Sequence, residues 1–373
     1  MSLDAEALRA DTPGCAHVAH FNHAGAALPP RPVLDAVVGH LELEARLGGY
    51  EAAILREEQF EAFYTVAASA IGADPSEIAW MDNASRGWAL AVQAIGLAPG
   101  DRVVIAPSEF GTNVLALDRI ARRAGAEVDV VPTGDIGDAL DDGVRLVALG
   151  QLGAHLGEPE SVADVGRLAH DAGALFLVDA AQAVGHLPVD VDDLGCDLLV
   201  ATGRKWLRGP RGTAFLYVSA GVLDQLDAPV DIIGEPRTDA RRFESAEHSV
   251  AGRLGLAAAL EYALGLGLDV IAAEVVDRAT ALREELAGVP GLALRERRAA
   301  SGIVTFTVQG LDPAGAVASL RQQGINLSAI PPTFAPHDLT ETVFRASPHY
   351  TTTHTEMRAL ATALTDLRGG RRG

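Results

Sequence analysis

Short apolar runs rich in valine, isoleucine and leucine recur through the first two thirds of the chain. Between them lie stretches whose apolar positions return every three or four residues. Buried strands of a parallel sheet read as such runs, and the helices covering them read as such stretches. The pattern predicts strands near 77–81, 102–106, 127–131, 144–149, 174–178, 197–201 and 214–218. Several lie about 25 residues apart, the spacing of βαβ units, so the chain reads as an α/β protein with a mostly parallel seven-stranded sheet. A helix over 31–47 follows Pro29-Pro30, with Val33, Val37, Val38, Leu41 and Leu43 roughly on one face.

The rhythm changes near residue 250. Two long helical stretches, 252–266 and 269–287, precede strands at 291–296 and 302–308 and helices at 313–323 and 354–368. Pro331-Pro332 to Pro336 forms a loop. The expectation is a large domain over 15–250 and a smaller α+β domain over 251–373, joined by segment 1–14. The tail Arg368–Gly373 is expected outside the fold. No internal repeat is visible.

Composition narrows the function. The net charge of −20 argues against nucleic acid as a partner. No apolar run approaches the ~20 residues of a membrane helix, and the acidic start Met1-Ser-Leu-Asp lacks a basic export signal. Two cysteines, Cys15 and Cys196, make neither a disulfide framework nor a zinc spacing, and no metal site is expected. A cytoplasmic protein is expected.

The 373 residues contain a single lysine, Lys205, against 29 arginines. Arginine stays protonated, whereas a desolvated lysine can lose its proton and form a Schiff base with a carbonyl. The neighbourhood supports an amine with a task. The strand Leu175-Phe-Leu-Val ends in Asp179, with Gln182 three residues on, and the next strand ends at Thr202, Gly203, Arg204 and Lys205. Ligands in open α/β sheets sit at the carboxyl ends of strands, although Asp179 also suits a helix cap. Lysine, carboxylate, amide, hydroxyl and guanidinium together are what pyridoxal phosphate (PLP) needs for its aldehyde, pyridinium and phosphate. Upstream, Trp80-Met-Asp-Asn-Ala-Ser-Arg-Gly-Trp88 passes from strand to helix. Backbone N–H groups of Asn83, Ala84 and Ser85 would form an anion site there, or Asp82 or Asn83 would simply cap the helix.

These residues resemble the class V aminotransferase family of fold-type-I PLP enzymes, which includes cysteine desulfurases. The likeness runs from Phe21-Asn-His-Ala-Gly-Ala-Ala-Leu-Pro29 to Phe344-Arg-Ala-Ser-Pro-His-Tyr350. It implies that Asp179 pairs with the pyridinium nitrogen, that Gln182 bonds the phenolic oxygen and that Lys205 carries the cofactor and shuttles protons. Thr202, Asn83, Ala84 and Ser85 would hold phosphate, Arg345 the substrate α-carboxylate, and Asn22 would also touch substrate. Three positions depart from the family pattern. Arg204 stands where histidine often precedes the lysine, and it can still bind phosphate. Phe110, after Glu109, stands where a histidine often stacks on the ring, and the resemblance implies that Phe110 stacks there instead. Glu247 stands where a neighbouring subunit often offers threonine to the phosphate. The desulfurase cysteine is missing from 324–336.

Within the family the pattern is most similar to the C–S lyases of ergothioneine biosynthesis, through Phe21-Asn-His-Ala-Gly-Ala-Ala, Gly48-Gly-Tyr-Glu-Ala-Ala53, Arg204 beside Lys205, and the absent cysteine. That resemblance implies β-elimination of hercynylcysteine sulfoxide, an amino-acid substrate, and a homodimer with shared active sites. Tyr50, Trp206, Tyr350 and Glu247 would be candidates to receive its trimethylammonium or imidazole. An aminotransferase or epimerase of the same family, and a non-catalytic binder on the same fold, are the alternatives. A dinucleotide enzyme ranks below them, because no Gly-x-Gly-x-x-Gly follows the first strand.

Overall fold

The computed structural model describes residues 3–228, 237–296 and 300–370. Of the tail expected outside the fold, residues 371–373 are outside the described residues, and Arg368 closes the last helix, His354–Arg368.

Seven strands form the main sheet: β1 (Ile78–Met81), β2 (Arg102–Ile105), β3 (Glu127–Val130), β4 (Val144–Gly150), β5 (Leu175–Asp179), β6 (Leu198–Thr202) and β7 (Ala214–Val218). Their spatial order is β1-β7-β6-β5-β4-β2-β3. Every pairing is parallel except those of β7, which runs against both β1 and β6. The central strands are buried on both faces, which is why they read as unbroken apolar runs, whereas edge strand β3 is half-exposed.

Register sets up the site. Gly150 pairs with Asp179, so β4 and β5 end level. Thr202 and Met81 both pair with Ala214, which brings the ends of β1 and β6 to the same edge. The chain leaves β1 into the helix Ala84–Ile95, whose Trp88, Ala91, Val92 and Ile95 are buried. Asp179, Thr202 and that helix N-terminus therefore share one sheet edge.

The second sheet is antiparallel, built from β8 (Leu292–Leu294), β9 (Val304–Val308), β10 (Ser328–Ile330) and β11 (Val343–Ala346) in the order β10-β11-β9-β8. Its core joins helices Leu268–Leu286, Pro313–Gln322 and His354–Arg368. The N-terminal chain is stitched to this unit: Ala19–His20 pairs with Ile325–Asn326, and Asn22 bridges to Ser347. Arg9 also forks onto Glu356 at 3.0 Å. Helix Val250–Leu266 packs on helices Arg31–Leu47 and Glu57–Ser69, and its Leu256, Ala259 and Leu260 enter the core of the large sheet. On this packing we propose the turn at Gly267, in place of residue 250, as the division between the two units. Among the described residues no single helix is long and apolar enough to cross a membrane.

Candidate active site

The sheet edge opens into two adjoining cavities that share Phe110, Ala154, Gln182, Arg204 and Lys205. The inner one reaches Asn83, Ala84, Ser85, Asp179 and Thr202. The outer one reaches Asn22, Arg211, Ser328, Phe334 and Arg345. Most residues read from the sequence as cofactor or substrate ligands thus meet around one amine.

Burial pushes the Lys205 ammonium down to about 7, against the pull of Asp179; Arg204 and Arg345 add to the lowering. Lys205 keeps some accessible surface only because it lines the cavity. Half of such amines are neutral near pH 7, as attack on a carbonyl requires.

Asp179 is fixed on two sides: Oδ1 accepts from the Ala181 N–H at 2.9 Å and Oδ2 accepts from Asn113 Nδ2 at 2.7 Å. Asn113 also donates to Glu109 Oε1 at 2.8 Å. Burial, and then the charge of Asp179, push Glu109 up to about 8. The site therefore links Asp179, across a single amide, to a carboxyl that burial keeps protonated. Neither Glu109 nor Asn113 was expected to carry a role. Their spacing of one helical turn is the available signal, and it is a weak one.

This arrangement has a consequence for stability. Folded Glu109 keeps its proton up to about pH 8, whereas a solvated glutamate releases it near 4.3. Between those values the folded state binds the extra proton, so stability present below the window falls as pH rises through it. Glu109→Gln lacks that loss. Its thermal midpoint, minus that of the wild type, should increase steadily from about pH 5 to pH 8. Parallel melting curves across that range would contradict the assignment.

Gln182 is held by Trp206, whose indole N–H donates to Oε1 at 3.1 Å, and by its own Nε2, which donates to the Ala24 carbonyl at 3.1 Å. One amide hydrogen remains for the cavity. Asn83 caps its helix, accepting from the Arg86 N–H at 2.8 Å, so its side chain is committed to capping. The donors left at that end to meet an anion would be the Ala84 and Ser85 N–H groups and the Ser85 hydroxyl. Arg204 donates to the Gly25 carbonyl on the outer side, so its guanidinium borders both cavities. Phe110 lines both and meets Phe334 edge-on at 5.5 Å. The next residue has to be glycine, since a Cβ on Gly111 would sit 1.9 Å from the Thr333 carbonyl oxygen.

Arg345 projects from β11, buried, with Nη1 donating to the Ala154 carbonyl at 2.8 Å and Nη2 to Asn22 Oδ1 at 3.4 Å. Asn22 Oδ1 is itself bonded by Ser328 at 2.6 Å. Burial, then Arg204, bring the Arg345 guanidinium down to about 9, and its Nε has no partner. An anion would relieve both.

Four of the expected residues do not line these cavities within a single subunit. Tyr50 and Glu247 do not line either cavity. They share a separate surface groove with Glu57, Phe60, Glu61 and His248, and Tyr50 is 84% exposed. Trp206 and Tyr350 are buried: Trp206 is stacked on His186 at 3.8 Å, and the Tyr350 hydroxyl accepts from Arg208. Apolar packing and internal hydrogen bonds account for both.

The sequence profile of the class-V aminotransferases matches residues 19–360. The chain belongs to that family. Among its relatives, a cysteine desulfurase of Enterobacter sp. (strain 638) is 32% identical over 347 residues, covering 83% of this chain and 84% of the relative. The solved cysteine desulfurase of Thermococcus onnurineus NA1 is 27% identical with a TM-score of 0.87, over 99% of each chain. The cystine C–S lyase C-DES, solved with its product cysteine persulfide, is 25% identical with a TM-score of 0.87, over 95% of this chain and 99% of that one. A C-DES variant has been solved with glycine covalently linked to the PLP cofactor.

PLP is the cofactor of this class-V enzyme, and the residues fit it. A near-neutral amine, a fixed carboxylate, a free amide hydrogen and a helix N-terminus are grouped in one cavity. Lys205 would carry it, Asp179 would face its ring nitrogen, Gln182 its ring oxygen, and Ala84, Ser85 and Thr202 its phosphate.

Proposed function

We propose that this protein is a carbon–sulfur lyase that performs β-elimination on a cysteine S-conjugate sulfoxide, with hercynylcysteine sulfoxide as substrate and ergothioneine, pyruvate and ammonia as products. One observation carries the reading. Lys205, Asp179 and Arg345 stand around a cavity pair that neither cysteine lines. Burial pushes the Cys196 thiol up to about 12 and raises that of Cys15. The loop 324–336, which closes the cavity through Ser328 and Phe334, has no cysteine. Formation of a persulfide on the enzyme needs a cysteine thiolate at the departing sulfur, whereas elimination needs only a base and a leaving group. That relatives include cysteine desulfurases and a cystine C–S lyase supports carbon–sulfur cleavage as the reaction class.

When bound, PLP supplies an electron sink beside its protonated ring nitrogen. Asp179 holds that proton in place. Arg345, itself held by Ala154 and Asn22, grips the substrate α-carboxylate and so fixes which Cα bond is presented for cleavage. Lys205 takes the Cα proton. The sulfoxide sulfur leaves with the C–S electron pair as a sulfenic acid, and hydrolysis of the three-carbon remainder gives pyruvate and ammonia. Two equivalents of a thiol from solution then reduce the sulfenic acid to ergothioneine, giving a disulfide and one water. A homodimer is the proposed assembly, on the family resemblance.

The test is incubation of purified holoenzyme with the sulfoxide, measuring pyruvate. Pyruvate in step with released sulfur is the expected result. Amino transfer to a keto acid without pyruvate would identify an aminotransferase instead. A colourless protein that PLP cannot reconstitute would leave only a binder.

A further inference from the structure

The outer cavity gathers several basic side chains and no acidic one among the described residues. Lys205, Arg204, Arg211 and Arg345 line it. None of the three arginines has a carboxylate partner within salt-bridge distance among the described residues, although 50 acidic residues leave the chain strongly negative overall. Like charges gathered without counter-charge raise the energy of the empty pocket and favour anions that enter it.

Two of the four basic side chains already have tasks. Lys205 serves the cofactor, and Arg345 is buried and aimed by Ala154 and Asn22 to take an α-carboxylate. Arg204 is tied to the Gly25 carbonyl and borders the phosphate side. Arg211 remains. It stands exposed on the rim, and its guanidinium makes no hydrogen bond among the described residues.

Its backbone is held firmly. Three residues earlier Arg208 adopts a φ of 63°, a left-handed conformation unfavourable for a side chain of this kind. Arg208 is held there by bonds from its own guanidinium to the Leu28 carbonyl at 2.9 Å, to Thr12 Oγ1 at 2.6 Å and to the Tyr350 hydroxyl. Thr213 closes the far side of the turn onto the Pro210 carbonyl at 2.6 Å. A strained, bonded turn thus fixes the backbone from which one unpaired guanidinium reaches the substrate cavity, so only that side chain has to be ordered on binding.

We propose that Arg211 receives a second carboxylate, carried by the sulfur substituent, so that the preferred substrates are cysteine S-conjugates with an acid on the leaving group. This rests on the lyase reading and adds the feature by which the leaving group is recognised. Tyr50 and Glu247, expected to hold a cationic part of the substrate, lie outside this cavity. The ionisable side chains that this subunit contributes to the cavity are all basic, so what they recognise there is negative charge.

Two sulfoxides of near-equal size test the idea on the holoenzyme: S-(2-carboxyethyl)-L-cysteine sulfoxide and its neutral S-(2-carbamoylethyl) counterpart. A charge-assisted bond predicts a preference for the acid of about ten- to a hundredfold in kcat/KM, carried by KM and reduced by salt. Arg211→Gln should erase the preference by lowering kcat/KM for the acid to that for the amide, and Arg211→Lys should keep part of it. Equilibrium binding of the two corresponding thioethers, followed by cofactor absorbance, should show the same preference independently of turnover. No preference in the wild type, or one that survives in Arg211→Gln, overturns the proposal. Weakened PLP binding in Arg211→Gln with the preference intact would assign the residue to phosphate and also overturn it. If neither sulfoxide yields pyruvate, the lyase reading fails, while the thioether titration still decides the role of Arg211.

Discussion

Lys205→Ala is expected to lose pyruvate formation by a thousandfold or more, on the order of what removal of a covalent and proton-transfer residue costs. The unusual composition makes a second readout clean. With no other lysine in the chain, borohydride treatment of the wild-type holoenzyme should fix the cofactor on Lys205 alone, and the variant should carry no lysine-linked adduct at all. Peptide mass mapping distinguishes these outcomes. The amine's position near neutrality adds a pH signature. Only the neutral amine attacks, so covalent loading of apoenzyme should be insensitive to pH above about 7 and slow roughly tenfold per unit below it. A Lys205→Ala enzyme within tenfold of wild-type pyruvate release would remove Lys205 from the chemistry.

Much of this site could be read before its geometry was known, for identifiable reasons. The seven strands of the main sheet begin and end within one residue of the runs that predicted them, and all but the half-exposed edge strand β3 are largely buried, so that little polar pattern competes. Asp179, Thr202 and Lys205 lie just beyond such runs, where parallel strands deliver their ends to one edge. Strands β10 and β11 were not anticipated. They are three and four residues long, next to prolines, and β11 places Arg345 in a buried row, which breaks any apolar signature. Asn113 reaches Asp179 across 66 residues and Arg345 reaches Ala154 across 191. No local periodicity reports contacts of that kind. Tyr50 and Glu247 had suitable chemistry for a cation, but residue type cannot say which cavity a helix and a distant loop will line. Arg211 was passed over for the converse reason: in a chain with 29 arginines, one more at a turn carries no signal until its neighbours prove to lack carboxylates.

Asp179→Asn should lower the rate of elimination by about a hundred- to a thousandfold, the loss expected when one partner of a buried charge-assisted bond is removed. Geometry should survive, since an amide oxygen can still accept from Ala181 and Asn113 can reorient. What disappears is the charge that keeps the ring nitrogen protonated. The loss should be incomplete because of Glu109, which is held neutral first by burial and second by the charge of Asp179. With that charge gone, Glu109 ionises at lower pH and returns a carboxylate to the network through Asn113. The residual activity of Asp179→Asn should therefore rise with pH across the Glu109 titration, and Asp179→Asn combined with Glu109→Gln should be slower still and lose that pH dependence. Equal residual rates in the single and double variants would show that Glu109 only fills space beside Asn113, whereas the expected difference would make the two carboxylates a coupled pair in which one sets the charge of the other.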